Sequence, residues 1–369
     1  MPASDRLDPL AVVEEKLAQG ERLSASDGLA LFESRDLVRI GRMADRVRRA
    51  RVGDDVFFVV NRHINYTNIC QNRCRFCAFS RSEGEPGAYT LTVEEVVAKA
   101  AEAVEQGATE IHIVGGEHPA LPYEGIRAMV SGVRSLSPAV HIKAFTASEI
   151  VHFAEMEGAE VEEILTDLKA AGLDSLPGGG AEILNGRVRQ EVCPEKISGE
   201  RWLEVHQLAH RLGLRTNATM LYGHVESYED RVDHLLSLRA AQDATGGFQA
   251  FIALAFQPTN TGLSHLLPTT GTDDLKTMAI ARLLLDNFAH IKTYWVMTGL
   301  KLAQIALFFG ADDMDGTVVE EVISLMSGAT FGQAVAKDEL VRVIRDAGRT
   351  PVERDALYRE VRRFEGGRG

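Results

Sequence analysis

Cysteine is scarce in this chain: four in 369 residues, too few for a disulfide scaffold. No window offers the ~18 consecutive apolar residues of a membrane span. Residues 1–10 carry two aspartates and lack the apolar core of a secretory leader. Internal repeats, low-complexity stretches and long linkers are missing as well, and the composition excludes collagen, mucin and coiled coil. Positive charge is in deficit, with 40 Lys and Arg against 53 Asp and Glu and a formal net charge of −13. Such a chain repels nucleic acid and anionic membrane, so any acidic substrate must meet local positive groups. A cytoplasmic, soluble enzyme acting on a small molecule is the expectation.

What is present is ordered along the chain. Residues 7–51 show helix-like spacing, with Val12, Val13 and Leu17, then Leu29, Leu31, Phe32, Leu37, Ile40, Met43 and Val47. Ser26 or Asp27 is the predicted N-cap of the second helix. At 56–60 the texture changes to a short, apolar, β-rich run, which reads as a buried parallel strand. Further strands are predicted at 111–114, 140–145, 175–176, 216–221, 248–256 and 291–297. Amphipathic stretches lie between them at 92–106, 123–135, 198–212, 228–245 and 272–289. This alternation predicts the α/β class and a TIM-type (βα) barrel over 56–335. A helical extension precedes it at 1–55. A helical extension at 337–364 and a frayed glycine-rich tail follow within 336–369. Polar and glycine-rich segments come directly after several strands, and in a barrel such loops share one mouth, where active sites are built.

Three of the four cysteines fall together, in Cys70-Gln-Asn-Arg-Cys74-Arg-Phe-Cys77, directly after the first predicted strand. Three thiolates on one loop can hold three irons of a cubic [4Fe-4S] cluster and leave the fourth without a protein ligand. A structural zinc site normally supplies four ligands. His63 is the only nearby candidate for a fourth. Cys193 stands alone and reads as a packed thiol.

The C-x3-C-x2-C spacing with Phe76 before the last cysteine resembles the radical S-adenosylmethionine (SAM) superfamily. The resemblance implies that the open iron chelates the amino and carboxylate groups of SAM. It also implies that Gly115-Gly116, after the second strand, binds the methionine amino group through the backbone, where the lack of a Cβ permits close approach. His63-Ile-Asn-Tyr-Thr-Asn68 and Cys77-Ala-Phe-Ser-Arg81 resemble the branch holding the futalosine-pathway enzymes and the deazaflavin (FO) synthases. The segments at 141–147, 202–206, 218–224, 310–317 and 347–351 are more similar to its aminofutalosine synthase family. A dehypoxanthine futalosine cyclase or FO synthase subunit is the nearest alternative, and a non-catalytic iron-sulfur protein a remote one.

That resemblance implies a chemistry for menaquinone biosynthesis. A reduced cluster, fed by a donor such as flavodoxin or ferredoxin, cleaves SAM to methionine and a 5′-deoxyadenosyl radical. The radical adds to the enol ether of 3-[(1-carboxyvinyl)oxy]benzoate. Aryl migration, loss of the carboxyl group as bicarbonate and return of an electron then give 6-amino-6-deoxyfutalosine. SAM is consumed as a co-substrate.

The substrate carries two carboxylates, so cationic or donor-rich groups at strand ends are candidates for it. Arg81, Lys143 and Arg282 are the predicted substrate contacts, with Lys292 also considered. His63 and His224 are the predicted catalytic histidines. Ser148 and Glu182 are expected to meet SAM, with a helix-cap reading for Ser148-Glu149 and a helix-dipole reading for Glu182 standing beside it. Phe76 is expected to pack its ring and turn its backbone to the adenine. Asp312, Asp313 and Asp315 lack an EF-hand's spacing and read as a turn with capping carboxylates.

Overall fold

A computed structural model of the chain describes residues 8–329, 332 and 334–365. The expectations for the leading segment 1–7 and the glycine-rich tail 366–369 lie outside the described residues. Eleven strands form one sheet: β1 Asp55–Val59, β2 Asn61–Asn65, β3 Glu110–Val114, β4 His141–Ala144, β5 Ser175–Leu176, β6 Arg215–Tyr222, β7 Phe248–Ala255, β8 His290–Thr293, β9 Asp313–Gly316, β10 Thr350–Arg354 and β11 Glu360–Arg363. Their order is β11-β10-β1-β9-β8-β7-β6-β5-β4-β3-β2, parallel throughout except for the β10–β11 pair. The sheet curls until β2, at one end, meets the segment just after β9, for Arg62 bridges Val319 in parallel and the His63 N–H donates to the Val319 carbonyl at 2.9 Å. The α/β barrel expected from the alternation is the architecture found.

The seam depends on a fork in the chain after Val59. β1 is apolar and pairs with β9 and β10 outside the lumen. β2, polar and fully buried, pairs with β3. Gly316 sits in the fork. A Cβ there would lie 2.4 Å from the Val59 carbonyl oxygen, so only glycine lets the strands approach. Asn61 completes the junction by accepting from the Val318 N–H at 2.8 Å.

Around the barrel run α4 Val93–Glu105, α5 Tyr123–Leu136, α6 Ala147–Glu157, α7 Val161–Ala171, α8 Gly186–Val192, α9 Gly199–Arg211, α10 Tyr228–Thr245 and α11 Gly271–Leu284, after α1 Pro9–Gln19, α2 Ala25–Glu33 and α3 Leu37–Val52 at the N-terminus. Short helices α12 Trp295–Thr298, α13 Leu300–Ala306 and α14 Ile323–Met326 and the longer α15 Lys337–Asp346 complete the set. Thr92, Thr146 and Ser227 close capping boxes with Glu95, Glu149 and Asp230, which fixes where α4, α6 and α10 start. The N-terminal helices lie on the barrel's flank, with Lys276 of α11 donating to the carbonyls of Phe32 and Ser34. Ser24, not Ser26 or Asp27, caps α2, and Asp27 closes its capping box.

Three further expectations change. The run 291–297 is a strand only to Thr293, and Trp295–Thr298 is helical, with the Trp295 indole donating to the Gly316 carbonyl at 2.9 Å. The aspartate run is no turn. It contains strand β9, and its carboxylates meet buried cations: Asp312 with Arg282, Asp313 with Arg354, Asp315 with Lys292. Residues 337–364 are helical only over Lys337–Asp346 and then form β10 and β11, where Pro351 and Val352 extend the sheet beside β1. A strand with three charged residues in four carries almost no apolar alternation, which is why the sequence conceals β11.

Candidate active site

At the carboxyl ends of the strands opens a cavity of about 300 Å³. Its upper wall is the loop after β2. This loop is tied down by the Cys70 N–H to the Arg81 carbonyl at 3.1 Å, the Arg81 N–H to Asn68 at 2.8 Å, and the Arg75 N–H to Val192 at 2.8 Å. Cys70, Cys74 and Cys77 all line the cavity. Cys193 is buried outside it.

The donor set fits a cluster held by three thiolates. Cys70 Sγ already accepts the Glu117 N–H at 3.4 Å, the kind of bond that stabilises a sulfur ligand. Beneath it, a Cβ on Gly116 would sit 2.3 Å from the Ile69 carbonyl oxygen and 2.9 Å from Cys70 Cβ. Glycine is what lets the loop rest on the end of β3.

The adjoining wall is organised by Glu149. Its Oε1 accepts from the Gly115 N–H at 3.0 Å and from the Tyr66 hydroxyl at 3.0 Å, and its Oε2 from the Thr146 N–H at 2.7 Å. Burial pushes its carboxyl up to about 7, against these donors. The Gly116 N–H is spent on the Thr67 carbonyl at 2.9 Å, and a ligand's ammonium group, itself a donor, would pair with a carbonyl or carboxylate oxygen here rather than with these amides. Glu117 lines the cavity and accepts from Ser148 Oγ.

Opposite, Glu182 holds left-handed backbone at φ +47° after the glycine run at 178–180, an unfavourable conformation for its residue type that functional sites often retain. Its carboxylate pairs with Lys196 Nζ at 2.8 Å, and that ammonium lies 5.7 Å from the centre of the Phe76 ring. Although burial opposes it, Lys196 holds the Glu182 carboxyl below the usual range.

The floor is ionic. His63, His112 and Lys143 stand in register on β2, β3 and β4. Lys143 pairs with Glu110 at 2.6 Å and Lys292 with Asp315 at 2.8 Å. Burial works against charge on Glu110, but Lys143, Lys292 and Arg354 around it hold its carboxyl well below the usual range.

The structure therefore gathers His63, Cys70, Cys74, Phe76, Cys77, Gly115, Gly116, Lys143 and Glu182 around one cavity. Ser148 sits just behind it, acting on Glu117. Three predicted residues are elsewhere. Arg81 donates to the carbonyls of Ala78 and Ser80 at 2.9 and 2.8 Å and does not line the cavity. His224 is consumed by its own turn, with Nδ1 accepting from the Val225 N–H at 2.8 Å and Nε2 facing the Leu221 carbonyl at 3.0 Å. Arg282 is inside α11, not at a strand end, and donates to the Gly310 carbonyl and to Asp312.

Lys292, considered from the sequence for the substrate, lines the cavity too, whereas Glu110, His112, Glu117, Lys196, Asp315 and Glu321 are cavity residues not predicted as site residues. His112 carried a signal, being a lone polar residue between Ile111 and Ile113 in an apolar strand, as did Glu117 beside the glycine pair. Lys196 carried none, since it reaches the cavity from a loop remote from every strand end.

Glu321 closes the cavity near Tyr294 with no cation against it. Both its oxygens face the Ser324 N–H at 3.1 Å. Burial pushes its carboxyl up to about 7. A carboxyl raised on folding favours the native state below its unfolded value and gives that stability up as pH rises through about 7. Glu321→Gln is therefore expected to raise the melting temperature at pH 8 and to leave it unchanged at pH 4.5, as thermal unfolding monitored by circular dichroism would show.

Comparison with known proteins gives consistent matches. Residues 64–238 match the radical SAM superfamily and residues 245–365 the CofH/MqnC C-terminal region. The chain is 49% identical over 361 residues to the aminodeoxyfutalosine synthase of Thermus thermophilus, covering 97% of this chain and 96% of that one. It is 46% identical to the enzyme of that name from Streptomyces coelicolor, covering 96% and 94%. It is also 42% identical to a 5-amino-6-(D-ribitylamino)uracil–L-tyrosine 4-hydroxyphenyl transferase of Methanococcoides burtonii, covering 95% and 99%. Among solved structures it resembles methylornithine synthase PylB, with TM-score 0.73, 18% identity and coverage of 92% and 97%. It also resembles the hydrogenase maturase HydG of Carboxydothermus hydrogenoformans, with TM-score 0.72, 18% identity and coverage of 95% and 80%.

Proposed function

The chain belongs to the radical SAM superfamily and carries the CofH/MqnC C-terminal region, and from that premise we propose that it performs the aminofutalosine synthase reaction of menaquinone biosynthesis. The observation that carries this reading is near-full-length identity of 46–49% to two enzymes named aminodeoxyfutalosine synthase, above the 41–44% shared with the tyrosine 4-hydroxyphenyl transferases. The transformation joins the 5′-deoxyadenosyl group of SAM to the enol-ether carbon of 3-[(1-carboxyvinyl)oxy]benzoate. The aryl group migrates, the carboxyl carbon leaves as bicarbonate, and 6-amino-6-deoxyfutalosine results.

Superfamily membership implies a [4Fe-4S] cluster and SAM, and the bound cluster supplies the electron that cleaves SAM and takes one back at the end. This chain's residues position and shield. Cys70, Cys74 and Cys77 would hold three irons, leaving the fourth for SAM. The Gly115 carbonyl and the Glu117 carboxylate, the latter fixed by Ser148, would accept from the methionine ammonium. Glu149 holds the Gly115 peptide and Tyr66 in place, and so steadies the wall that receives the cofactor. Phe76 turns its backbone toward the adenine. Glu182, fixed by Lys196, faces the cationic and ribose parts of SAM. His63 and Lys143 face the aryl acid from the floor. Arg81, His224 and Arg282 have structural tasks in this arrangement.

The test is an anaerobic assay of cluster-loaded protein with dithionite, later with flavodoxin or ferredoxin, plus SAM and the enol ether. Mass spectrometry should find methionine and the adenosyl adduct in equal amounts. A product joining the 4-hydroxyphenyl group of tyrosine to 5-amino-6-(D-ribitylamino)uracil, with no adduct from the enol ether, would assign the transferase reaction instead. Cleavage of SAM to 5′-deoxyadenosine alone would refute the substrate and direct the assay to dehypoxanthine futalosine.

A further inference from the structure

The floor of the cavity holds charged groups that neither the cysteine loop nor the glycine pair uses. His63, His112 and Lys143 stand side by side on three adjacent strands. Across the lumen Lys292 of β8 aligns with Ile252 of β7, and Ile252 with Thr219 of β6. These six residues line the cavity. Lys143 and Lys292 are each fixed and balanced by one carboxylate, Glu110 and Asp315. His63 differs. It is 5% exposed, it faces the cavity, and its Nε2 has no hydrogen-bond partner. A buried polar atom left unpaired costs stability, so the ring gains a hydrogen bond by turning toward an acceptor in the cavity it lines.

We propose that His63, Lys143 and Lys292 form the subsite for the ring carboxylate of the aryl acid, with the His63 imidazole the group that donates to it. The inference rests on the reaction proposed above. In that substrate the enol-ether carbon must lie against SAM at the cysteine end. The carboxylate meta to it on the ring is the group left to reach the floor. His63 is two residues below the end of β2, roughly 7 Å at the usual rise of a strand, which is the scale of a benzoate ring.

Charge balance sets how the acid enters. Facing His63 are His112 and Glu110 from β3, Lys143 from β4, Lys292 from β8 and Asp315 from β9. Both lysines are neutralised by their own carboxylates, and burial pushes the His63 imidazole down to about 4, so the empty floor has no free positive charge at neutral pH. A carboxylate placed against the imidazole favours the imidazolium form, and the acid therefore brings a proton in with it. Its affinity rises as pH falls, approaching tenfold per pH unit between about 4 and the higher value His63 takes when the acid is bound.

The experiment is calorimetric titration of cluster-loaded protein with SAM present, using 3-hydroxybenzoate, the neutral 3-hydroxybenzamide and the enol ether, in two buffers of different ionisation enthalpy. The wild type should bind the benzoate at least tenfold more tightly than the amide and take up close to one proton with it. His63→Phe should lose both the preference and the uptake. His63→Asn, which keeps a donor but no titrating ring, should recover part of the preference and none of the uptake. Equal binding of acid and amide by the wild type, or unchanged proton uptake in His63→Asn, would overturn the subsite. Turnover of the enol ether without acid–amide discrimination removes the subsite and leaves the reaction standing. The expected binding signature with no turnover removes the reaction and leaves the subsite.

Discussion

Cys70→Ala, Cys74→Ala and Cys77→Ala are each expected to yield folded protein with no assembled [4Fe-4S] cluster and no SAM cleavage, whereas Cys193→Ala keeps both. The three thiols share one cavity and Cys193 is shut away from it. Two thiolates cannot retain three irons, and no carboxylate or imidazole is an equivalent ligand for a site of this type. Each measurement is direct: iron and sulfide content per chain after anaerobic reconstitution, and methionine released from SAM. The assignment fails if Cys193→Ala loses its cluster, or if any of the other three retains a full complement of iron. The loop should survive substitution, since backbone bonds such as Cys70 to Arg81 and Arg75 to Val192 hold it.

The largest loss of stability is expected from Arg282→Met. The guanidinium is buried within the layer between α11 and the sheet. It donates to the Gly310 carbonyl at 2.8 Å, to the Ala289 carbonyl at 3.2 Å and to Asp312. Asp312 also meets His290 Nδ1 at 2.6 Å and the Ile291 N–H at 2.8 Å, and it anchors the start of β9. Burial opposes charge on Asp312, yet Arg282 and His290 hold its carboxyl below the usual range. Removing the cation leaves a buried carboxylate without its main partner, a change that typically costs about 3–5 kcal/mol. Denaturant unfolding should register that loss. The kcat/KM of the fraction that remains folded at low temperature should stay near the wild-type value. A variant of normal stability with a raised KM for the aryl acid would restore the substrate contact expected from the sequence. Because a depressed carboxyl stabilises above its unfolded value and ceases to as it is protonated, this anchor weakens as pH falls into the acid range.

The misplacement of Arg282 and His224 has a common cause. A cation or imidazole has a direction that the sequence does not state, whether it lies within a helix like Arg282 or just past a strand like His224. Arg282 turns into the packing between helix and sheet. His224 folds back on the turn that carries it. Lys143, by contrast, occupies a strand whose neighbours are apolar, so its side chain must point either into the barrel or into the helix layer, and Glu110 on the adjacent strand draws it inward.

By itself the sequence determined what rests on short-range chemistry. The cysteine spacing, the glycine pair, the alternation of strand and helix and the acidic balance depend on residues close along the chain or on bulk composition. They sufficed for the barrel, the cluster loop and the face on which the site opens. Only the tertiary structure decided the rest, because those features bring together distant residues whose individual patterns are weak. The seam joins Arg62 to Val319, Lys196 reaches Glu182 from a loop, and β10 and β11 enter the sheet from a segment expected to be helical. The ionic floor belongs to the same class. His63, Glu110, Lys143, Lys292 and Asp315 are buried charges and near-charges that local propensity disfavours, and they are tolerable only when the closed barrel sets them against one another.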